Sequence, residues 1–248
     1  MKYNAKATLG GGVSVSTILA LASGGIKSAV AAGRYALEHE IVLLHVDYGQ
    51  ASAGIERRHL GAMAEAFPSG QVVGIELPHV RALDRRTRVA ADASPTDADT
   101  LSPLAMRGLM PLLVATGLQC AVRTGASALV VGLTEVSAEV SSLLASADGQ
   151  PGRAHEFVQT ADMMFEAALP EKHRINLEAP LIDVTYGEAI KLAVRFHVPL
   201  ENTWSCAGPG PRPCTKCSAC RARQEAFSEA RLLDPTMTIV GARETAPT

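Results

Sequence analysis

Four short apolar runs constrain this chain more than any other feature. They are TILALA (17–22), IVLLHV (41–46), QVVGIEL (71–77) and ALVVGL (128–133). Three of them carry almost no polar alternation, so they read as strands covered on both faces rather than as half-exposed ribbons. Segments with helical spacing separate them: Ser28–Glu40, Ile55–Phe67, Leu109–Gly125, Ala161–Leu169, Gly187–Phe196, and Ala219 to about Leu232. Pro111 is tolerable in the first turn of its helix. Ile175–Leu177 is a short fifth strand candidate. Buried strands alternating with helices predict an α/β fold, a parallel sheet with helices on both faces.

The connections are less regular. His79–Pro103 is polar, carries arginines at 85, 86 and 88, and reads as a long loop. Residues 134–160 are ambiguous. Taken with 248 residues, 47% of them hydrophobic, the pattern fits a main domain over 1–200 and a cysteine-rich region over 201–248. A net charge of -2 argues against a broad basic face for nucleic acid. No apolar run approaches the ~20 residues needed to span a bilayer. The first residues lack the pattern of a secretory signal. The expected setting is cytoplasmic.

In open parallel sheets, ligands bind beyond the carboxyl ends of the strands. Three post-strand segments therefore matter most: Ser23-Gly24-Gly25-Ile26-Lys27-Ser28, Asp47-Tyr48-Gly49-Gln50 and Thr134-Glu135. In the first, two glycines permit a tight turn with close backbone approach, and the following helix presents unpaired N–H groups. That is an anion site, with Ser23, Ser28 and Lys27 as added donors. A plain strand-to-helix turn is the other reading of the glycines. The Walker phosphate motif is absent.

Cys206, Cys214, Cys217 and Cys220 fall within fifteen residues. Four thiolates at this spacing suit a closed tetrahedral Zn2+ site of structural type. An iron–sulfur cluster and free or disulfide-bonded cysteines remain the other readings. Cys120 sits in an apolar helix and reads as core.

With both features in view, Ser23-Gly24-Gly25-Ile26-Lys27-Ser28 resembles S-G-G-x-D-S, the pyrophosphate loop of ATP pyrophosphatases. Further segments resemble the 7-cyano-7-deazaguanine synthase family. They are Asp47-Tyr48-Gly49-Gln50, Ala179-Pro180-Leu181-Ile182-Asp183, Val198-Pro199-Leu200, and Thr203-Trp204-Ser205-Cys206 with the later cysteines, Arg223 and Asp234-Pro235-Thr236. The resemblance covers most of residues 17–236. It implies a Rossmann-like adenine-nucleotide alpha-hydrolase fold, structural zinc, Mg2+ with ATP, and a homodimer. It also implies adenylation of 7-carboxy-7-deazaguanine, attack by ammonia to give an amide, and a second ATP-driven dehydration to a nitrile.

Three places depart from that pattern. Lys27 replaces the loop's aspartate. V-P-G-R-N appears as Leu104-Ala105-Met106-Arg107-Gly108, and P-D-C-R-P-E-F as Pro151-Gly152-Arg153-Ala154-His155-Glu156-Phe157. A divergent member is therefore expected. Its carboxylate could be joined to another amine, even one on a protein, in a defence or specialised-metabolite setting. A non-catalytic nucleotide-binding scaffold is the competing class, and a sulfur-transferring relative a third.

The expected nucleotide-binding residues are Ser23, Gly24, Gly25, Ile26, Lys27, Ser28, Asp47 and Gln50. Lys27, Arg107 and Lys191 are the candidates for contact with reacting groups, although Lys191 also reads as an exposed helical lysine. Asp183 reads as a helix cap, with Mg2+ ordering as its alternative. His59 and His155 receive no role.

Overall fold

The structure, a computed structural model, describes residues 15–83, 108–134 and 153–236. Five strands lie in one parallel sheet: β1 (Thr17–Leu21), β2 (Glu40–Asp47), β3 (Gly70–Glu76), β4 (Ala128–Val130) and β5 (Asn176–Glu178). Their spatial order is β3-β2-β1-β4-β5. The order reverses between β1 and β4, so a crevice opens at the carboxyl ends of those two strands. Register is regular, with Ile18 opposite Ile41 on one side and Ala128 on the other.

Seven α-helices accompany the sheet among the described residues. They are α1 (Ile26–Gly33), α2 (Ala53–Ala66), α3 (Pro78–Leu83), α4 (Leu109–Thr124), α5 (Ala154–Ala168), α6 (Tyr186–Arg195) and α7 (Ser218–Ala230). Alternate strand residues feed two cores. Ile18, Ala20, Ile41 and Leu43 pack against α1, α2, α6 and α7. Leu19, Val42, Leu44 and Val46 pack against α4 and α5. The double covering accounts for the near-continuous apolar strands.

The structure corrects several sequence readings. The helix expected over Ser28–Glu40 stops at Gly33. The chain then reverses through turns closed by Tyr35 N–H to Ala32 C=O and His39 N–H to Tyr35 C=O, which delivers Glu40 to β2. α5 starts at Ala154 rather than Ala161. Part of the expected loop after His79 is α3, which opens on Pro78, where a missing N–H costs nothing. The arginines at 85, 86 and 88 lie outside the described residues, as does most of 134–160. Asp183 is not the cap of α6. Thr185 is: its hydroxyl accepts from Glu188 N–H at 3.1 Å while Glu188 accepts from Thr185 N–H at 2.8 Å. No described helix is long and apolar enough to cross a membrane.

Candidate nucleotide and metal site

The glycine-rich loop follows β1 directly. Gly24 has φ +74°, a left-handed conformation suited to glycine, and a Cβ there would stand 3.1 Å from the carbonyl oxygen of Glu56. The Gly24 carbonyl accepts the backbone N–H of Trp204 at 2.7 Å. Gly25 is the N-cap of α1 and supplies no capping side chain. The first-turn N–H groups of an α-helix have no intrahelical acceptor, so this end is suited to an anion. Beyond β4, a Cβ on Gly132 would fall 2.6 Å from the backbone nitrogen of Ser28. The missing side chain lets the end of β4 approach the first turn of α1 at the point where the strand order reverses.

A cavity of about 300 Å³ opens there. Leu21, Leu44, Val46 and Val131 line it from the sheet, and Leu109, Met110 and Leu113 from α4. Ser23, Gly25, Ile26, Lys27 and Ser28 form the loop side. The Lys27 ammonium lies 5.2 Å from the ring centre of Tyr186, another lining residue.

A polar network forms the second wall. Glu56, on α2, accepts from Gln50 Nε2 at 2.9 Å and from Ser52 Oγ at 2.6 Å, and pairs with His45 Nε2 at 2.9 Å. Gln50 Nε2 also donates to the Val46 carbonyl, and Gln50 Oε1 accepts from Tyr48 N–H. His45 is almost wholly buried, and its Nδ1 has no partner. Burial pushes the Tyr48 phenol up, and the charges of Glu56 and Asp47 add to the effect.

The third wall comes from the cysteine region: Trp204, Ser205, Cys206, Ala207, Ser218 and Ala219. The Sγ atoms of Cys206, Cys214, Cys217 and Cys220 all lie within 4.8 Å of one another. Cys206 Sγ accepts from the N–H groups of Gly208 and Cys214, and Cys214 Sγ from that of Cys217, each at 3.3 Å. Such bonds favour thiolates, and the convergent donor set fits a metal ion. Hydrogen bonds from Cys206 and Cys220 draw the Cys217 thiol far down, while Cys206, paired with Cys217, is pushed up to about 11. Trp204 is packed in this cluster, its indole donating to the Cys206 carbonyl at 2.8 Å. The half-buried His59 stacks on it at 5.3 Å, and burial lowers the His59 pKa.

Behind the cluster, Arg223 holds the chain. Its guanidinium donates to Asp234 at 2.6 and 2.8 Å, to Thr203 Oγ1 at 2.9 Å and to Thr236 Oγ1 at 2.8 Å. The pair is buried, at 3% and 7% side-chain exposure.

The expected site residues are thus distributed as follows. Ser23, Gly25, Ile26, Lys27, Ser28 and Gln50 line one cavity. Gly24 shapes the loop. Asp47 stands at the end of β2, where its Oδ1 accepts from Gly49 N–H at 3.0 Å, and it is not among the lining residues. Lys191 is exposed on α6 and also outside the lining. Arg107 and Glu135 lie outside the described residues; Thr134 is buried. In the altered segment, Arg153 pairs with Glu156, and His155 Nε2 lies 2.9 Å from Asp183 Oδ1. Cys120 is buried, and burial raises its thiol pKa. Sequence reading missed Glu56, Ser52 and His45. A histidine inside the apolar run IVLLHV needs a partner, and a carboxylate on the next helix was the signal.

Fold and site together define an α/β protein with an anion-type loop at the sheet's reversal point and, beside the cavity, four cysteines placed so that they could hold a metal ion. Comparison with known families is more particular. Residues 17–231 match the family model described as queuosine biosynthesis protein QueC, and this chain belongs to that family. A curated relative from Synechococcus sp. (strain CC9605), named 7-cyano-7-deazaguanine synthase, is 32% identical over 88% of this chain and 95% of its own length. One of the same name from Parasynechococcus marenigrum (strain WH8102) is 32% identical over 86% and 93%. One from Methanothrix thermoacetophila is 27% identical over 87% and 96%. Among solved structures, the U34-tRNA thiolase NcsA from Methanococcus maripaludis with its [4Fe-4S] cluster aligns at TM-score 0.44 and 12% identity. That alignment covers 87% of this chain and 70% of the thiolase chain.

Proposed function

We propose that this protein is an ATP-dependent enzyme that activates 7-carboxy-7-deazaguanine and converts the carboxylate to an amide and then a nitrile. The observation that carries the reading is the Ser23–Ser28 loop lining a cavity of about 300 Å³ at the sheet's reversal point. Relatives named 7-cyano-7-deazaguanine synthase, matching over nearly nine-tenths of the chain, supply the substrate.

A carboxylate resists nucleophiles, whereas an acyl adenylate carries a good leaving group. In the first step a carboxylate oxygen attacks the α-phosphorus and pyrophosphate departs with the bonding pair. Ammonia then attacks the acyl carbon, AMP leaves, and the surplus proton passes to solvent. A second adenylation on the amide oxygen allows loss of AMP and a proton, leaving the nitrile. The cavity's apolar wall suits the planar base of a nucleotide. The loop N–H groups and the Lys27 ammonium suit its phosphates, where developing charge needs fixed donors. Mg2+ accompanies the ATP. Lys27 in place of an aspartate shifts part of the charge compensation from a divalent ion to the chain itself.

The metal of the cysteine site is taken as zinc. A tetrahedron with Zn–S near 2.3 Å has an edge of about 3.8 Å. Cys214 Sγ and Cys220 Sγ stand 4.0 Å apart, a single-ion spacing. A four-iron cluster would set its ligands on separate irons, further apart. Four thiolates close the coordination shell, so the role is structural.

The test is incubation of the metal-loaded protein with ATP, Mg2+ and 7-carboxy-7-deazaguanine, with and without ammonia. AMP and pyrophosphate should depend on the acid, and product mass should pass through the amide to the nitrile. Tight ATP binding without acid-dependent AMP would overturn the substrate assignment. Lys27→Ala should weaken ATP binding about tenfold, the scale of one charge-assisted contact. Elemental analysis should give one zinc per chain, and iron in its place would overturn the metal assignment.

A further inference from the structure

We propose that Trp204 couples the four-cysteine site to the glycine-rich loop, so that metal and nucleotide raise each other's affinity. The proposal rests on the nucleotide reading above and adds a positioning role for one residue.

Trp204 has a hydrogen bond to each site. Its backbone N–H donates to the Gly24 carbonyl at 2.7 Å, and its indole N–H donates to the Cys206 carbonyl at 2.8 Å. Trp204 is 5% exposed and packs with Cys206, Cys217 and Cys220. Its own carbonyl lies 3.6 Å from the point a Gly25 Cβ would occupy. One residue therefore bonds the first loop glycine and the first candidate metal ligand, and its carbonyl faces the open side of the second glycine.

The mechanical argument follows from those contacts. Gly24 has many backbone states open to it, and its left-handed state must be selected by neighbours. The bond from Trp204 is one such selection. The position of Trp204 is set in turn by Cys206, whose Sγ also takes two N–H groups of the ligand loop. A bound ion draws four sulfurs to one point and fixes Cys206. Without it, four crowded thiols relax, and the displacement reaches Gly24 through Trp204. Binding of a nucleotide to the loop selects the same arrangement from the other side. Linkage makes the two effects equal in equilibrium terms, and a factor of about ten is typical of such coupling.

The experiment measures two affinities in the full chain. ATP with excess Mg2+ is titrated by calorimetry into zinc-loaded and chelator-stripped protein. Zinc affinity is measured by competition with a chromogenic chelator, with and without ATP, and corrected by a protein-free blank for zinc held by ATP. The expected result is about tenfold weaker ATP binding without zinc and an equal strengthening of zinc binding by ATP. Trp204, the single tryptophan, should change its emission on ATP addition. Trp204→Phe keeps a ring and the backbone N–H but loses the indole donor. It should bind both ligands with the coupling reduced to about threefold or less.

Equal ATP affinity in loaded and stripped protein would overturn the coupling and leave the nucleotide reading intact. No ATP binding even to loaded protein would overturn the nucleotide reading itself. If stripped protein loses its fold by circular dichroism, the zinc arm on loaded protein decides. There, an unchanged zinc affinity with ATP sinks the proposal. If Trp204→Phe does not fold, the size of the wild-type factor decides, and a factor near one sinks the proposal.

Discussion

Trp204 carries the only indole emission of the chain, and His59 lies against it at 5.3 Å with 30° between the ring planes. Imidazolium quenches a stacked indole, whereas neutral imidazole does so weakly. Burial lowers the His59 pKa below the ordinary histidine value of about 6.5. Emission should therefore hold steady through neutral pH and fall with a midpoint below 6.5, and His59→Gln should remove that transition. The same depression has a stability sign. The unfolded chain protonates His59 first, so this contribution is complete above about pH 6.5 and is lost as pH falls toward the folded value. Glu56 is the other informative residue. It is the acceptor for Gln50 and Ser52 and the partner of a buried His45 whose second nitrogen already has none. Glu56→Ala leaves that imidazole wholly unsatisfied, and urea unfolding should show a loss of about 1–3 kcal/mol.

At the scale of elements, one close backbone contact joins the end of β4 to the start of α1. A methyl group at position 132 would stand 2.6–2.8 Å from the backbone of Lys27 and Ser28. All three atoms met are backbone, so the helix start must move. Gly132→Ala should cost about 1–3 kcal/mol in unfolding and weaken ATP binding together. Calorimetry on the folded variant checks the second effect. This scale also shows how much was legible in sequence. Strands β1, β2 and β4 were readable because both faces are covered, which leaves a bare apolar run. The loop after β1 was readable because glycines, lysine and serine stand between a strand and a helix. The end of α1 was not, because alanine-rich sequence continues in helical style while the turns at 34–39 are set by the need to enter β2. The cap of α6 was misassigned to Asp183. Thr185, two residues on, has the reciprocal partner Glu188 at the right spacing, and that box was the better signal. The network of His45 and Glu56 crosses two elements, and no local pattern spells it out.

For the whole molecule, Arg223 ties α7 to the chain before the cysteines, at Leu200 and Thr203, and to the chain after the helix, at Asp234 and Thr236. Its guanidinium serves Asp234, Thr203, Thr236 and the Leu200 carbonyl. Removing one partner of a buried ion pair strands the other, so Arg223→Leu should lose about 3–5 kcal/mol in urea unfolding. The cysteine region was legible from spacing alone, and its place on the cavity wall was not. That place depends on Trp204 reaching a loop near the other end of the sequence, and separation of that kind has no local signature.

The bond from Trp204 to Gly24 also orders events during synthesis. The loop leaves the ribosome early, but the residue that holds it emerges only after most of the chain has been made. Until then the sheet can form from its earlier strands while the loop stays unlocked and the cavity lacks a wall. A cavity whose third wall comes from residues 204–219 is thus complete only once most of the chain has been made.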